Sequence, residues 1–300
     1  MNSKIYAVIV TYNPDINTLS ESIKYLIGQV YRIIIVDNNS INFQELDFLS
    51  IKKGIILIKF SENKGIASAQ NEGIRYANSH KAKYILLMDQ DSIIPNELVS
   101  TLYKECHDLE IRGIRVGAVG CSYRDSQDDK INVAWKANGL KIKKIELDSK
   151  KSKIFAVDFV IASGSLIPIS TLNKIGLMEE GLFIDLVDIE WGLRGKFYGY
   201  QSYQILTNIM IHKIGNGRQK IFCRNFIIHS PIRNYYYIRN RIFLIKRNYI
   251  ELAWRLYFVR QIFQSIILFG IFQKQRLLRI KLIILAIKDG LIGRYGRFGS

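Results

Sequence analysis

The chain has 300 residues, 48% of them hydrophobic and only four of them proline, which supplies ample core and argues against long disordered linkers. Its three cysteines, Cys106, Cys121 and Cys223, are widely spaced and odd in number; this argues against a disulfide framework or a cysteine metal site and points to a reducing compartment. The net charge of +17 is uneven: residues 218–300 hold 17 Lys+Arg against Glu251 and Asp289 alone, which leaves +2 for residues 1–217, so the last part of the chain implies an anionic partner such as membrane lipid, nucleic acid or a phosphorylated substrate.

Met1-Asn2-Ser3-Lys4 runs directly into a strand-like segment, with no signal-peptide pattern. Ile5 to Val10 reads as a first buried strand, ended by the turn signal Thr11-Tyr12-Asn13-Pro14. Leu19, Ile23, Leu26 and Ile27 recur at helical spacing within residues 18 to 29. Arg32 to Val36 is a second strand and delivers Asp37-Asn38-Asn39-Ser40 at its carboxyl end. A third strand at Ile55 to Ile58 is followed by the loop Ser61 to Gly65 and a helix through Ala67, Ala69, Ile74 and Ala77. A fourth strand, Tyr84 to Met88, runs into Asp89-Gln90-Asp91. The predicted order is strand, helix, strand, strand, helix, strand, an α/β nucleotide-binding unit. It is not of the dinucleotide type, because no G-x-G-x-x-G follows the first strand.

Asp89 and Asp91 fall at the carboxyl edge of the sheet, where open α/β sheets bind ligands. The bland reading of the pair is a helix cap or a polar turn. The sharper one is a hard divalent cation that also grips phosphate oxygens. Further on, the pattern predicts a helix from about Asn96 to Leu109 and a strand over Val116 to Gly120. Residues 123–153 read as a surface loop or hairpin near the acceptor side, and the small residues of Ala162-Ser163-Gly164-Ser165 suggest close backbone approach. Asp185, Asp188 and Glu190 then gather before a helix running to Gly199. Acids favour a helix N-terminus, and Asp188 could be its cap. Capping needs one acid, and three stand here. Residues Gly199 to Leu206 turn into a strand, and His212 follows; a lone histidine is more often structural than a ligand.

From Ser230 to about Gly290 a long helical region interleaves apolar, aromatic and basic residues. Its longest charge-free run, which starts at Gln261 and stops before Lys274, is shorter than the roughly 20 residues of a bilayer span. Amphipathic helices lying in an anionic membrane surface fit the composition; a bundle with a basic solvated face is the plainer account. The chain divides accordingly into residues 1–217, an α/β domain that holds the acids at its edge, and residues 218–300, a basic amphipathic region.

The motifs Val8-Ile9-Val10-Thr11-Tyr12-Asn13, Val36-Asp37-Asn38, Asn63-Lys64-Gly65 with Asn71 and Gly73, Asp89-Gln90-Asp91, Ser163-Gly164, Phe183-Ile184-Asp185 with Asp188-Ile189-Glu190-Trp191 and Leu193-Arg194, and His212 stand in this order. Together with Arg233-Asn234-Tyr235-Tyr236 and Arg239-Asn240, they resemble the family 2 glycosyltransferases, and within them the bacterial rhamnosyltransferase-like group. The resemblance covers most of the chain, to about residue 245. It implies a GT-A fold, a Rossmann-like mixed sheet flanked by helices. It implies that Thr11, Tyr12 and Asn13 line a nucleotide pocket, that Asp37 meets the base or ribose, and that Asn63, Lys64 and Gly65 lie beside the nucleotide. Asp91, with Asp89 near the donor sugar, would hold Mg2+ or Mn2+, and His212 matches a position that completes some metal sites. Gly164, Glu190 and Trp191 join the substrate-binding set. Asp188 matches the catalytic base. The acid pair usual there is Val187-Asp188 in this chain, so Glu190 or Asp185 are alternatives.

The activity implied is metal-dependent, inverting transfer of a sugar, L-rhamnose from dTDP-rhamnose favoured over UDP- or GDP-hexoses, to a saccharide or lipid-linked acceptor. The setting implied is bacterial O-antigen or capsule synthesis on the cytoplasmic face of the inner membrane. A nucleic-acid-binding protein is the competing class, but it gives Asp37, Asp89, Asp91 and Asp188 no role, and no nucleic acid is expected as partner.

Overall fold

Runs of branched apolar residues become the strands that carry the edge. A computed structural model describes residues 4–50, 53–125, 131, 133–145, 147, 152–212, 218–221, 224–227, 230–273 and 275–299. The elements are β1 (Ile5–Thr11), α1 (Ile16–Leu26), β2 (Arg32–Asp37), α2 (Phe43–Ser50), β3 (Ile55–Lys59), α3 (Ile66–Ser79), β4 (Tyr84–Asp89), α4 (Leu98–Ile111) and β5 (Val116–Asp125). A hairpin of β6 (Ala134–Asn138) and β7 (Lys141–Ile145) follows, then β8 (Ile154–Val157), β9 (Ser165–Pro168), α5 (Ile169–Ile175), a single 3-10 turn at Glu180–Leu182, α6 (Val187–Phe197) and β10 (Gln201–His212). The chain continues through β11 (Arg218–Ile221), β12 (Arg224–Ile227), α7 (Pro231–Ile245), α8 (Leu252–Ile267), a π-helical segment Leu268–Phe272 and α9 (Arg276–Ile292).

Among the described residues, eight strands form one sheet in the order β3-β2-β1-β4-β9-β5-β10-β8. β1, β2, β3 and β4 are mutually parallel. β9 runs antiparallel between β4 and β5. The carboxyl ends of β1, β2 and β4 are level, because Thr11 stands opposite Asp37 and Val10 opposite Asp89. β9 starts at that same edge, with Ser165 beside Leu87 and Gly120.

Side chains of a strand alternate between faces. Ile5, Ala7 and Ile9 therefore pack with α1 and α4 on one side, while Tyr6 and Val8 pack with α3, α5 and α6 on the other. Trp254 and Phe258 of α8 and Phe243 and Leu244 of α7 belong to this second layer. A third cluster joins Tyr235 and Ile238 of α7 to Leu282, Ile283 and Ala286 of α9.

Several expectations change in detail. A helix absent from the predicted order, α2, stands between β2 and β3, and its Leu46 is fully buried. β5 runs on to Asp125 instead of stopping at Gly120, and within residues 123–153 a hairpin forms, β6–β7. Among the described residues, the region from Ser230 is three α-helices and the π-helical segment. No described helix is long and apolar enough to cross a membrane. Cys106 and Cys121 are free and buried, with burial pushing the Cys121 thiol up to about 12; Cys223 lies outside the described residues.

Candidate active site

At the end of β1, the Thr11 hydroxyl donates to Asp37 Oδ1 at 2.9 Å. The same carboxylate accepts the Ser40 N–H at 2.8 Å and the Ser40 hydroxyl. Thr11 and Asp37 are fully buried, so they build the floor of the edge. Asn13 donates its N–H to Ser40 Oγ and accepts Ile41 N–H on its side chain. Asn38 Oδ1 accepts the Lys64 N–H at 2.8 Å, and Asn63 Oδ1 accepts the Gly65 N–H at 3.0 Å. The loop before α3 is thereby bound to the end of β2. Asn71 and Gly73 serve the fold: the Asn71 amide is tied to the Met178 backbone, and a Cβ at Gly73 would overlap Val8.

Gln90, the middle residue of the acid motif, accepts the Tyr12 N–H at 2.8 Å and so joins the ends of β1 and β4. Tyr12 itself is half exposed. The Asp89 N–H donates to Ser163 Oγ at 3.1 Å, and Ser163 donates onward to Ser92 Oγ at 2.8 Å. Gly164 has φ +76, a Cβ there would overlap Cys121 Sγ, and its N–H donates to Leu87 O at 2.9 Å. Only glycine occupies such a position without strain. Asp91 is exposed and takes no hydrogen bond or ion pair among the described residues.

Asp188 enters from the other half of the sheet. α6 begins at Val187 with Leu186 as its N-cap, so Asp188 lies inside the first turn and does not cap the helix. Leu186 adopts a left-handed conformation and its carbonyl already accepts the Glu190 N–H, which starts the helix before Asp188. The Asp188 carboxylate accepts Ile189 N–H at 2.9 Å and Ala162 N–H at 3.3 Å. Burial pushes its pKa up to about 6, aided by the negative charge of Asp89 and opposed by the two N–H donors. Tyr123 of β5 also neighbours this carboxylate; burial, then the Asp188 charge, raises its phenol. Asp188 lines a small, partly open pocket together with Gln70, Leu87, Ala162, Ser165 and Trp191.

The turn leading into α6 is strained. Phe183, Asp185 and Leu186 all have positive φ, at 64°, 66° and 65°. Each such residue costs about 1–3 kcal/mol and persists only where its surroundings hold it. Arg233 of α7, half exposed, grips the Asp185 carboxylate at 2.8 Å; partial burial works against the guanidinium charge, and the Asp185 carboxylate outweighs it and raises the pKa. Glu190 is fully buried, held by Arg194 at 2.7 Å and by the Tyr249 hydroxyl at 2.7 Å. The Trp191 indole donates to Gly176 O at 2.9 Å. Of the acids at the start of α6, Asp185 and Glu190 are thus engaged by cations, while the Asp188 carboxylate feels the charge of Asp89. Sequence reasoning did not assign roles to Ser163, Tyr123 or Arg233; the serine and arginine stood in its motifs, while Tyr123 carried no signal.

The carboxylates of Asp89 and Asp91, the latter unpaired among the described residues, are hard-oxygen donors of the kind Mg2+ and Mn2+ take. Among the described residues no group of three His, Cys, Asp or Glu could hold a metal by itself. The side chain of His212, at the end of β10, lies outside the described residues.

The family model described as glycosyl transferase family 2 matches residues 6–164. Over 299 residues the chain is 37% identical to the dTDP-rhamnosyl transferase RfbF of Shigella flexneri, covering 99% of this chain and 98% of that one. Glycosyltransferase GlyG of Streptococcus pneumoniae serotype 4 is 32% identical over 116 residues, 37% of each chain. Among solved structures, GalNAc-T7 with UDP, GalNAc and Mn2+ matches with a TM-score of 0.62 at 14% identity, over 98% of this chain and 58% of that one. S. aureus TarS 1-349 with UDP-GlcNAc matches with a TM-score of 0.58 at 14% identity, over 97% of this chain and 81% of that one. The mixed sheet, its carboxylate edge and the relatives agree: the chain belongs to glycosyl transferase family 2 and has the GT-A fold.

Proposed function

We propose that this glycosyltransferase moves L-rhamnose from dTDP-rhamnose to a saccharide or lipid-linked acceptor in bacterial surface polysaccharide synthesis, with inversion at the anomeric carbon. The sugar and nucleotide rest on the 37% identity that runs through nearly the whole chain to a dTDP-rhamnosyl transferase. The chemistry rests on Asp188, whose carboxylate feels the charge of Asp89 at the edge.

Asp188 takes the proton of the acceptor hydroxyl as that oxygen attacks the anomeric carbon on the face opposite the diphosphate. The new C–O bond forms as the bond to the diphosphate breaks, and dTDP leaves with the electron pair. A carboxylate with a pKa near 6 is ionised at neutral pH and more basic than an ordinary one, which suits a general base worth roughly 10²–10⁴-fold in rate. Asp91 and Asp89 would hold Mg2+ or Mn2+, which supplies Lewis-acid neutralisation of the leaving diphosphate. Tyr12, Asn13, Asn63, Lys64 and Gly65 surround the nucleotide, with Thr11 beneath them. Asp37 would serve the base or ribose side from below, by fixing Thr11 and Ser40 with its buried carboxylate. Gly164 and Trp191 shape the sugar side.

A donor screen tests this reading: dTDP-rhamnose against UDP- and GDP-hexoses, with Mg2+, with Mn2+ and with chelator, measuring released nucleoside diphosphate. Turnover of a UDP- or GDP-sugar alone would replace the proposed donor.

We also propose that residues 218–300 bring the enzyme to an anionic membrane surface on the cytoplasmic side. Support comes from α8, whose outer face carries exposed Leu252, Leu256, Val259, Phe263 and Ile267, and from α9, which exposes Leu277, Ile280, Ile284 and Leu291 beside Lys281 and Lys288. An apolar stripe flanked by cations suits the headgroup boundary of anionic lipid. Deleting the tail is a poor test, because Trp254 and Phe258 belong to the core. The variant Phe263→Glu/Leu277→Glu, floated with vesicles with and without anionic lipid, is a better one. Wild-type recovery of the variant with anionic vesicles would sink the proposal.

A further inference from the structure

Helix α7 lies outside the residues matched by the family model, yet its side chains surround the strained turn that leads to Asp188. The buried Asn240 amide donates to three carbonyls of that turn, Leu182 O at 3.0 Å, Ile184 O at 2.8 Å and Asp185 O at 3.1 Å. An amide has two hydrogens, so the group is shared among the three and meets no competing acceptor. Its oxygen accepts Arg239 Nε at 3.0 Å and Nη2 at 2.9 Å, which fixes the way the amide faces. Arg239 also donates to Gly181 O and Leu182 O, each at 3.1 Å, and to Gly296 O at 2.7 Å. Arg233 holds the Asp185 carboxylate, and the Tyr236 ring stacks on Phe183 with centroids 5.0 Å apart.

We propose that α7 is a positioning element of the active site: Asn240, oriented by Arg239 and assisted by Arg233, holds the left-handed turn 183–186 in the form that delivers Asp188 to the edge beside Asp89. The proposal rests on Asp188 as the base. A left-handed backbone at Phe183, Asp185 and Leu186 relaxes when its holding contacts go. Asp188 follows Leu186 by two residues, so relaxation moves its carboxylate. The Phe183 carbonyl also accepts the Ile66 N–H, so the turn is tied to the nucleotide loop from the other side. Asn240 bonds the carbonyls of Leu182, Ile184 and Asp185 and not that of Phe183, so the Phe183–Ile66 tie to the loop stays when the amide is lost. Loss of the amide therefore acts on the chemical step and spares donor affinity.

The test uses the full-length enzyme with Asn240→Asp, which keeps the volume and removes the donors, and with Asn240→Ala. Circular dichroism and thermal unfolding check folding, and calorimetry measures dTDP binding. The expected result is a fall in kcat of about 10²-fold, the cost of a displacement of roughly 1 Å, with donor KM within about threefold of wild type. Folded variants with wild-type kcat, or with the loss confined to donor KM, would overturn the proposal. Should the Asn240 variants fail to fold, Arg233→Gln and Arg233→Lys are read in the same way on the half-exposed side of α7. Arg233→Gln should lower kcat, and Arg233→Lys should restore most of it; equal kcat in both and in wild type overturns the proposal. Asp188→Asn separates the two readings. If it keeps wild-type kcat the base lies elsewhere, and α7 then stands or falls on whether its own variants lower kcat at constant donor KM.

Discussion

The carbonyl oxygen of Phe183 lies 2.5 Å from where a Cβ on Gly65 would stand, and it accepts the Ile66 N–H at 2.8 Å. The nucleotide loop and the turn before α6 therefore meet backbone to backbone. Gly65 also has φ +86, a conformation that side chains disfavour. Gly65→Ala should cost about 1–3 kcal/mol of stability and weaken dTDP binding. Urea unfolding and calorimetry measure both, and an alanine variant with unchanged binding would show that the contact carries no functional geometry.

The pH dependence follows from Asp188. A base works ionised, so kcat/KM should fall on the acid side with a midpoint near 6, the value to which burial and Asp89 raise it. Stability has the opposite sign. The folded pKa lies above the ordinary 3.8, so the stabilising proton is fully bound below 3.8 and is lost as pH rises through about 6. Asp188→Asn should flatten that stability change, and should lower kcat by roughly 10²–10⁴-fold while dTDP binding stays near wild type. An acid limb that persists in the asparagine variant would assign it to another group.

Asp91→Ala should abolish the metal dependence of donor binding. The residue is exposed and unpaired among the described residues, so the substitution should leave stability within about 0.5 kcal/mol of wild type. Titration of dTDP with and without Mg2+ measures the effect. A variant that still gains affinity on adding Mg2+ would remove Asp91 from the metal site.

Asp158 should be a structural hub. It is buried, pairs with Lys196 at 2.9 Å, accepts the Trp254 indole at 2.8 Å and the Ala137 N–H at 2.7 Å. It thereby joins α6, α8 and the β6–β7 hairpin. Asp158→Ala leaves the Trp254 and Ala137 donors without their acceptor and Lys196 with one of its two carboxylates, and should cost about 1–3 kcal/mol for each buried donor left unsatisfied. Equilibrium unfolding in urea checks this; a loss below about 1 kcal/mol would mean that Lys196 relies on Glu251 alone.

Much of this molecule was legible before any coordinates. Parallel strands buried on both faces must be continuous apolar runs, and such runs ending in Asp37 and Asp89 locate the edge. Local alternation and helical spacing do the same for α1, α3 and α4. What a linear pattern does not carry is which distant group faces which carboxylate. Asp185, Asp188 and Glu190 look alike in the chain. Folding gives Asp185 to Arg233, buries Glu190 against Arg194 and Tyr249, and leaves Asp188 beside Asp89. The basic texture of the tail was equally plain, but its interior work was not. Asn240 reaches back more than fifty residues to the turn at 182–185, because the packing of α7 on the sheet brings them together. Sequence determined the edge and its acids; tertiary structure decided which acid is left without a cation among the described residues, since pairing and burial depend on neighbours that only the fold supplies.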